Sequence, residues 1–258
     1  MTNIRSPLNA VIYPESDGQP MTESDATRDY LFYSVEALRL YFKSRGSVYV
    51  SGNLFIYYEE GNPKAVISPD VFVVFGVSQR KRRSYKTWQE GNKLPSFVLE
   101  ITSKTTKKQD QENKPKLYAS LGVQEYFQYD PTADYLRPQL QGAKLVNGSY
   151  EPLPVQHTAD QIPFIHSQVL SLDLQLRESF KGIGIAPIPR ALRFCDPQTG
   201  RILPNQEEVL EERDEALQAL DTAEQRADTA EQRADTAEQR ARALAEKLRS
   251  LGINPDDL

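Results

Sequence analysis

The sequence predicts an α/β domain, a mixed sheet flanked by helices, followed by a C-terminal coiled-coil helix. Three observations predict it. A helix-period segment lies near residue 30; apolar runs of strand length, with a second helix-like stretch among them, fill residues 48 to 129; and one seven-residue unit repeats near the C-terminus. The length agrees, since 258 residues hold one enzyme-sized domain and an extension but are short for two.

In chain order, residues 1–24 are polar, with prolines at 7, 14 and 20, and read as a loosely held lead-in. Leu31, Val35, Leu38 and Phe42 then recur at the spacing of one helix face, closed at Gly46. Val48 to Tyr58 reads as a strand, Glu59 to Pro63 as a turn, and Ala65 to Phe75 as a second strand ending at Gly76, so the two are expected to pair as a hairpin. A long basic and polar loop leads to Phe97-Val98-Leu99-Glu100-Ile101, a short apolar run of the kind that fills a central strand. Lys107 to Leu121 is helix-like, with Pro115 either kinking it or standing in its first turn, and Gly122 closes it. Glu125 to Tyr129 returns as a strand before the Asp130-Pro131 turn. From 132 to 204 the pattern is short strands and turns, a β-rich completion of a domain spanning 25–204.

The tail, 205–258, carries DTAEQRA three times in succession, at 221–227, 228–234 and 235–241. A strict period of seven is the signature of a coiled coil. Leu220, Ala227, Ala234, Ala241 and Leu248 share one seam position, and Ala216, Ala223, Ala230, Ala237, Leu244 and Leu251 the other. Alanine buries little, about 0.8 kcal/mol per carbon, so the expected homodimer is anchored mainly by Leu244, Leu248 and Leu251. A lone exposed helix is the alternative.

Composition narrows the class. No charged segment followed by an apolar stretch opens the chain, and no run of about 18 apolar residues occurs, so no membrane partner is expected and the location is expected to be cytoplasmic. The single cysteine, Cys195, has no partner for a disulfide, and His157 and His166 do not stand at zinc-site spacing to it. The net charge of −5 is unevenly spread: residues 43–118 hold 14 Lys/Arg against 7 Asp/Glu, and residues 205–258 hold 7 against 15. The region that carries the candidate chemistry is therefore basic. Its densest run, Arg80-Lys81-Arg82-Arg83, with Lys104, Lys107 and Lys108 further on, is either a surface that follows a nucleic-acid backbone or a solvated loop. Tyr85 and Trp88 lie in the same loop as candidates for touching nucleic acid, whereas Tyr118, Tyr126, Phe127 and Tyr129 read as core.

Two acids interrupt apolar runs: Asp70, in Ser68-Pro69-Asp70, opens Val71 to Phe75, and Glu100 falls near the end of Phe97 to Ile101. On adjacent strands these carboxylates can converge. Phosphodiester hydrolysis uses a hard divalent cation to activate water and offset phosphate charge, and carboxylate oxygens with retained waters suit Mg²⁺. Taken alone the pair is equally compatible with a structural ion pair.

From Val48 to Pro131 the chain resembles the bacterial putative restriction endonuclease family of the PD-(D/E)XK nuclease superfamily. The likeness is carried by Pro69-Asp70, Val98 to Ser103, Thr106, Asp110, Lys114, Tyr118, Gly122-Val123, Glu125-Tyr126 and Asp130-Pro131, with the Leu192 to Gly200 segment and the Ala- and Glu-rich helical tail in keeping. It implies an αβ-sandwich nuclease core, a Mg²⁺ or Mn²⁺ cofactor and a DNA substrate. Asp70 and Glu100 would hold the metal with the Ile101 carbonyl. The superfamily's E-x-K pattern would place lysine at 102, where this chain has Thr102. A migrated lysine is the natural repair: Lys114 first, Lys104 second, with the ammonium orienting the attacking water. Glu36 is a weaker candidate for a third carboxylate, and Asp110 reads as a helix cap or a partner for Lys114. The expected activity is that of a Mg²⁺-dependent endodeoxyribonuclease. The rival is a nuclease-derived DNA-binding or assembly module in which Thr102 marks lost catalysis.

Overall fold

The computed structural model describes residues 11–15, 24–103, 113–178 and 190–250. The chain divides into two compact units, Met1–Asn205 and Gln206–Leu258.

The first unit opens with α1 (Asp25–Tyr41), which begins where Ser24 accepts the Thr27 amide at 3.2 Å. Its polar first turn has no apolar rhythm, so the sequence pattern shows only from Leu31. The strands are β1 (Val48–Ser51), β2 (Ile56–Tyr57), β3 (Val66–Ile67), β4 (Val71–Phe75), β5 (Tyr85–Lys86) and β6 (Phe97–Ile101), followed by helix α2 (Lys114–Ser120) and β7 (Glu125–Tyr129). Then come β8 (Leu140–Val146), β9 (Ser149–Pro152), β10 (Gln156–His157), β11 (Pro163–Ser167), β12 (Leu172–Arg177) and β13 (Ala191–Cys195). Six strands form a mixed sheet in the order β1-β4-β6-β7-β8-β9, with β6 antiparallel to β4 and parallel to β7. The strands β10-β11-β12-β13 make a second sheet, and β3-β2-β5 a third.

The expected hairpin forms but splits in two. β1 pairs with β4 and β2 with β3, and the break falls at Gly52-Asn53 on one side and Ser68-Pro69-Asp70 on the other. Pro69 has no amide to give the ladder, and Asn53 stands at φ +46°. The Asn53 amide bonds the Pro69 carbonyl at 3.0 Å, and a Cβ on Gly52 would lie 2.1 Å from the Asp70 carbonyl oxygen, so only glycine lets the two backbones meet. Pro115 falls in the first turn of α2, the alternative without a kink.

Two cores cover the two faces of the main sheet. Leu31, Leu38 and other α1 residues pack with Val71, Val73, Phe97, Leu99, Ile101 and the inner face of the second sheet. Phe72, Val74, Val98 and Tyr126 pack with Tyr118 of α2. The strict alternation along β4 and β6 is what assigns every neighbouring side chain to a face.

The second unit holds α3 (Gln206–Ser250), 45 residues long and without a buried residue.

Candidate active site

Strand register decides where the two acids go. Val71 stands opposite Leu99, so Asp70, the residue before β4, stands opposite Glu100. By alternation both leave the α1 face occupied by Val71, Leu99 and Ile101, and fall on the α2 face with Phe72 and Val98. The contacts agree. The Ile101 amide donates to Asp70 Oδ2 at 2.8 Å, and the Asp70 amide donates to Glu100 Oε2 at 3.4 Å. Each acid is thus tied to the other's strand.

Helix α2 supplies the rest. Lys114 and Tyr118 are four residues apart and share a helix face. Lys114 Nζ lies 2.9 Å from Glu100 Oε2, and the Tyr118 hydroxyl donates to Glu100 Oε1 at 2.5 Å. Glu100 is fully buried, while the Lys114 side chain keeps 22% of its surface exposed. Burial, then the charge of Glu100 and its hydrogen bond, hold the Tyr118 phenol well above its ordinary range, with Asp70 adding to the effect. Tyr118 therefore stays protonated and serves as a donor.

Asp70, Glu100, Lys114 and the Ile101 backbone thus come together. Glu36 does not join them: it pairs with Arg39 at 2.7 Å, its side chain 58% exposed. Lys104, Lys107, Lys108 and Asp110 lie outside the described residues. Thr102 is buried, its amide continuing the ladder to the Tyr129 carbonyl at 2.8 Å. Sequence reading passed over two neighbours. Tyr118 reads as core from the sequence, and its four-residue spacing from Lys114 is the signal that places it at the same carboxylate. Gln128 stands opposite Glu100 on β7, and a glutamine in the middle of the buried strand EYFQY was the available signal.

The basic run divides: the Arg82 side chain is covered, whereas Arg80, Lys81 and Arg83 stay exposed. Arg80 and Arg82 both bind Glu90, Arg82 lies 4.2 Å over the Tyr49 ring, and Arg83 pairs with Glu15. Tyr85 is fully buried and bonds the Lys93 carbonyl, and Trp88 packs against Tyr13. Tyr118, Tyr126, Phe127 and Tyr129 are core residues as read. His166, which had no visible partner in sequence, binds Asp173 at 2.7 Å, a cross-strand neighbour.

The donor set suits a hard divalent cation. Two carboxylates on one face are the protein share that Mg²⁺ commonly takes, the remaining positions being water and substrate oxygens. Lys114 leaves the trio of Asp70, Glu100 and Lys114 with one net negative charge, which favours a cation. Among the described residues no group of three or more His, Cys, Asp or Glu gathers anywhere, so the protein's share here is a pair of acids with a backbone carbonyl. A cavity of about 470 Å³, lined in part by Gln128, Arg137 and Gln141, opens one strand over from Glu100.

The family model Uma2, described as putative restriction endonuclease, matches residues 16–177. A solved structure, a putative nuclease belonging to DUF820 from Anabaena variabilis ATCC 29413, is similar at 13% identity and a TM-score of 0.37, over 57% of this chain and 80% of that one. No curated protein matches the sequence. No helix among the described residues is long and apolar enough to cross a membrane.

Proposed function

Because this chain belongs to the Uma2 family of putative restriction endonucleases, we propose that it hydrolyses DNA phosphodiester bonds with a divalent metal ion held by Asp70 and Glu100. The observation that carries the reading is the cross-strand opposition of these two acids on the face covered by Lys114 and Tyr118. Asp70, Glu100 and the Ile101 carbonyl hold the ion, Mg²⁺ or Mn²⁺. When bound, it supplies an activated water and offsets charge on the scissile phosphate. Lys114 brings the positive charge that position 102 lacks, orienting the attacking water and steadying the negative charge on the phosphoryl oxygens. Tyr118 holds Glu100 Oε1, so that the carboxylate does not turn away from Asp70.

The test is plasmid cleavage by the full chain with Mg²⁺ or Mn²⁺. Nicking that requires the metal and disappears in Asp70→Ala and Glu100→Ala is the expected outcome. One observation favours a second reading: a neutral Thr102 at the lysine position suits a DNA-binding or assembly module without catalysis. Retained DNA binding with no cleavage under any metal would establish that module.

The tail is assigned to dimer formation as a coiled coil. A helix of 45 residues with none buried has its apolar seam to satisfy. The charges flanking that seam support a parallel pair: Glu224, Glu231 and Glu238 lie on one flank and Arg226, Arg233 and Arg240 on the other. In a parallel pair each arginine faces the glutamate five residues on along the second helix, whereas an antiparallel pair sets like charges together. Sedimentation of the full chain against a chain ending at Asn205 checks this, and equal association states would remove the dimer.

A further inference from the structure

Three buried side-chain polar atoms have no hydrogen-bond partner among the described residues: Ser34 Oγ, Thr102 Oγ1 and Gln128 Nε2. Ser34 belongs to α1. The other two flank Glu100. Gln128 is its in-register partner on β7, with backbones about 4.8 Å apart across the ladder, and Thr102 follows it by two residues, about 6.6 Å along the backbone and just past the end of β6. Alternation puts all three on one face. Phe127, Tyr129 and Ile101 enter the α1-side core, so Gln128, Glu100 and Thr102 turn to the α2 side.

A buried polar group without a partner is destabilising, and two of them beside one carboxylate call for a shared ligand. Its size is bounded. Thr102 is 1% and Gln128 7% exposed, and the two atoms themselves are shut off from bulk solvent, so a nucleotide strand does not fit against them. One water molecule does. It needs two to four polar partners, and a threonine hydroxyl that donates or accepts, a glutamine amide that donates and a neighbouring carboxylate that accepts provide three.

We propose that Thr102 and Gln128 hold a single water against the Glu100 carboxylate and through it fix the orientation in which Glu100 meets a divalent cation. The inference rests on the reading of Glu100 as a metal-holding acid. Thr102 and Gln128 are positioning residues: they touch the water, and the water touches Glu100. At the position where the E-x-K pattern has lysine, a hydroxyl and a water take over the support of the carboxylate, while Lys114 brings the charge.

The experiment is calorimetric titration of the full chain with Mn²⁺, using Thr102→Val, Thr102→Ser, Gln128→Leu and the Thr102→Val/Gln128→Leu double variant. Thr102→Val and Gln128→Leu each weaken Mn²⁺ binding by about 10-fold or more. The double variant binds no worse than the weaker single one, because both changes remove the same water. Thr102→Ser binds like the wild type. Melting temperatures that do not fall in parallel separate the effect from unfolding. Unchanged Mn²⁺ affinity in both single variants, or losses that add in the double, would overturn the proposal. Should an apolar variant not fold, a crystal structure of the wild type that resolves ordered water decides: a water bonded to both side chains supports the proposal, and a direct Thr102–Gln128 hydrogen bond overturns it. The parent reading fails differently. If the wild type ignores Mn²⁺, or Asp70→Asn binds it as well as the wild type, both fall; if Asp70→Asn alone loses binding, only this proposal falls.

Discussion

Glu90, half-buried, and Glu100, fully buried, are both glutamates bound by basic side chains, yet their surroundings differ in kind. Glu90 is gripped at both oxygens by Arg82, at 2.9 Å each, and again by Arg80 at 2.5 Å. Those guanidinium hydrogen bonds pull its carboxyl down to about 2 despite burial. Glu100 faces a second acid instead, is bound among the described residues by an ammonium, a phenol and an amide, and has beside it two polar groups without a partner there. A buried ion pair by itself marks nothing. The second carboxylate aimed to the same face is what sets Glu100 apart from a staple, and two arginines of the densest basic run, Arg80 and Arg82, serve the staple.

The comparison is sharpest in activity. Glu100→Gln should lower plasmid cleavage by about 1,000-fold or more, whereas Glu90→Gln, measured on folded protein, should stay within about twofold; equal losses would erase the distinction. Lys114→Met removes the ammonium while keeping an apolar stem, and single-turnover rates should fall by about 100-fold with Mn²⁺ still bound.

In stability the order reverses. The carboxyl of Glu90 is depressed from 4.5 to about 2, so its stabilisation is fully present above 4.5 and is lost as pH falls through about 2. Glu90→Gln should cost on the order of 1–2 kcal/mol at neutral pH, less than the full shift because the half-buried site is partly screened by solvent, and should flatten the stability–pH curve between those values, read by urea titrations across that range. The smallest effect belongs to Arg80, whose side chain is 60% exposed: Arg80→Met should cost under about 1 kcal/mol, and less in high salt.

Much of this was legible before any coordinates. Phe97–Ile101 and Glu125–Tyr129 are strands at the boundaries read from their apolar runs, because buried central strands need nothing but apolar side chains and a length. Asp70 and Glu100 stood out because each breaks such a run. The split of the hairpin was not legible: Gly52 and Pro69 look like ordinary punctuation until the two backbones are seen to touch. The fate of Arg80, Arg82 and Arg83 was hidden for a different reason. Their partners, Glu90 and Glu15, are brought to them by loops, and charge density along a sequence does not say which charges are already neutralised. Gln128 was passed over because its meaning depends on a parallel register, which no local pattern specifies.

The bond from the Ile101 amide to Asp70 Oδ2 has a bearing on how the chain matures. Sliding β4 by a single residue along β6 would send one acid of the pair into the opposite layer, so the two share a face only in the native register. Native strand alignment is therefore what delivers both acids to one layer of the sheet, and a misaligned β4 separates them.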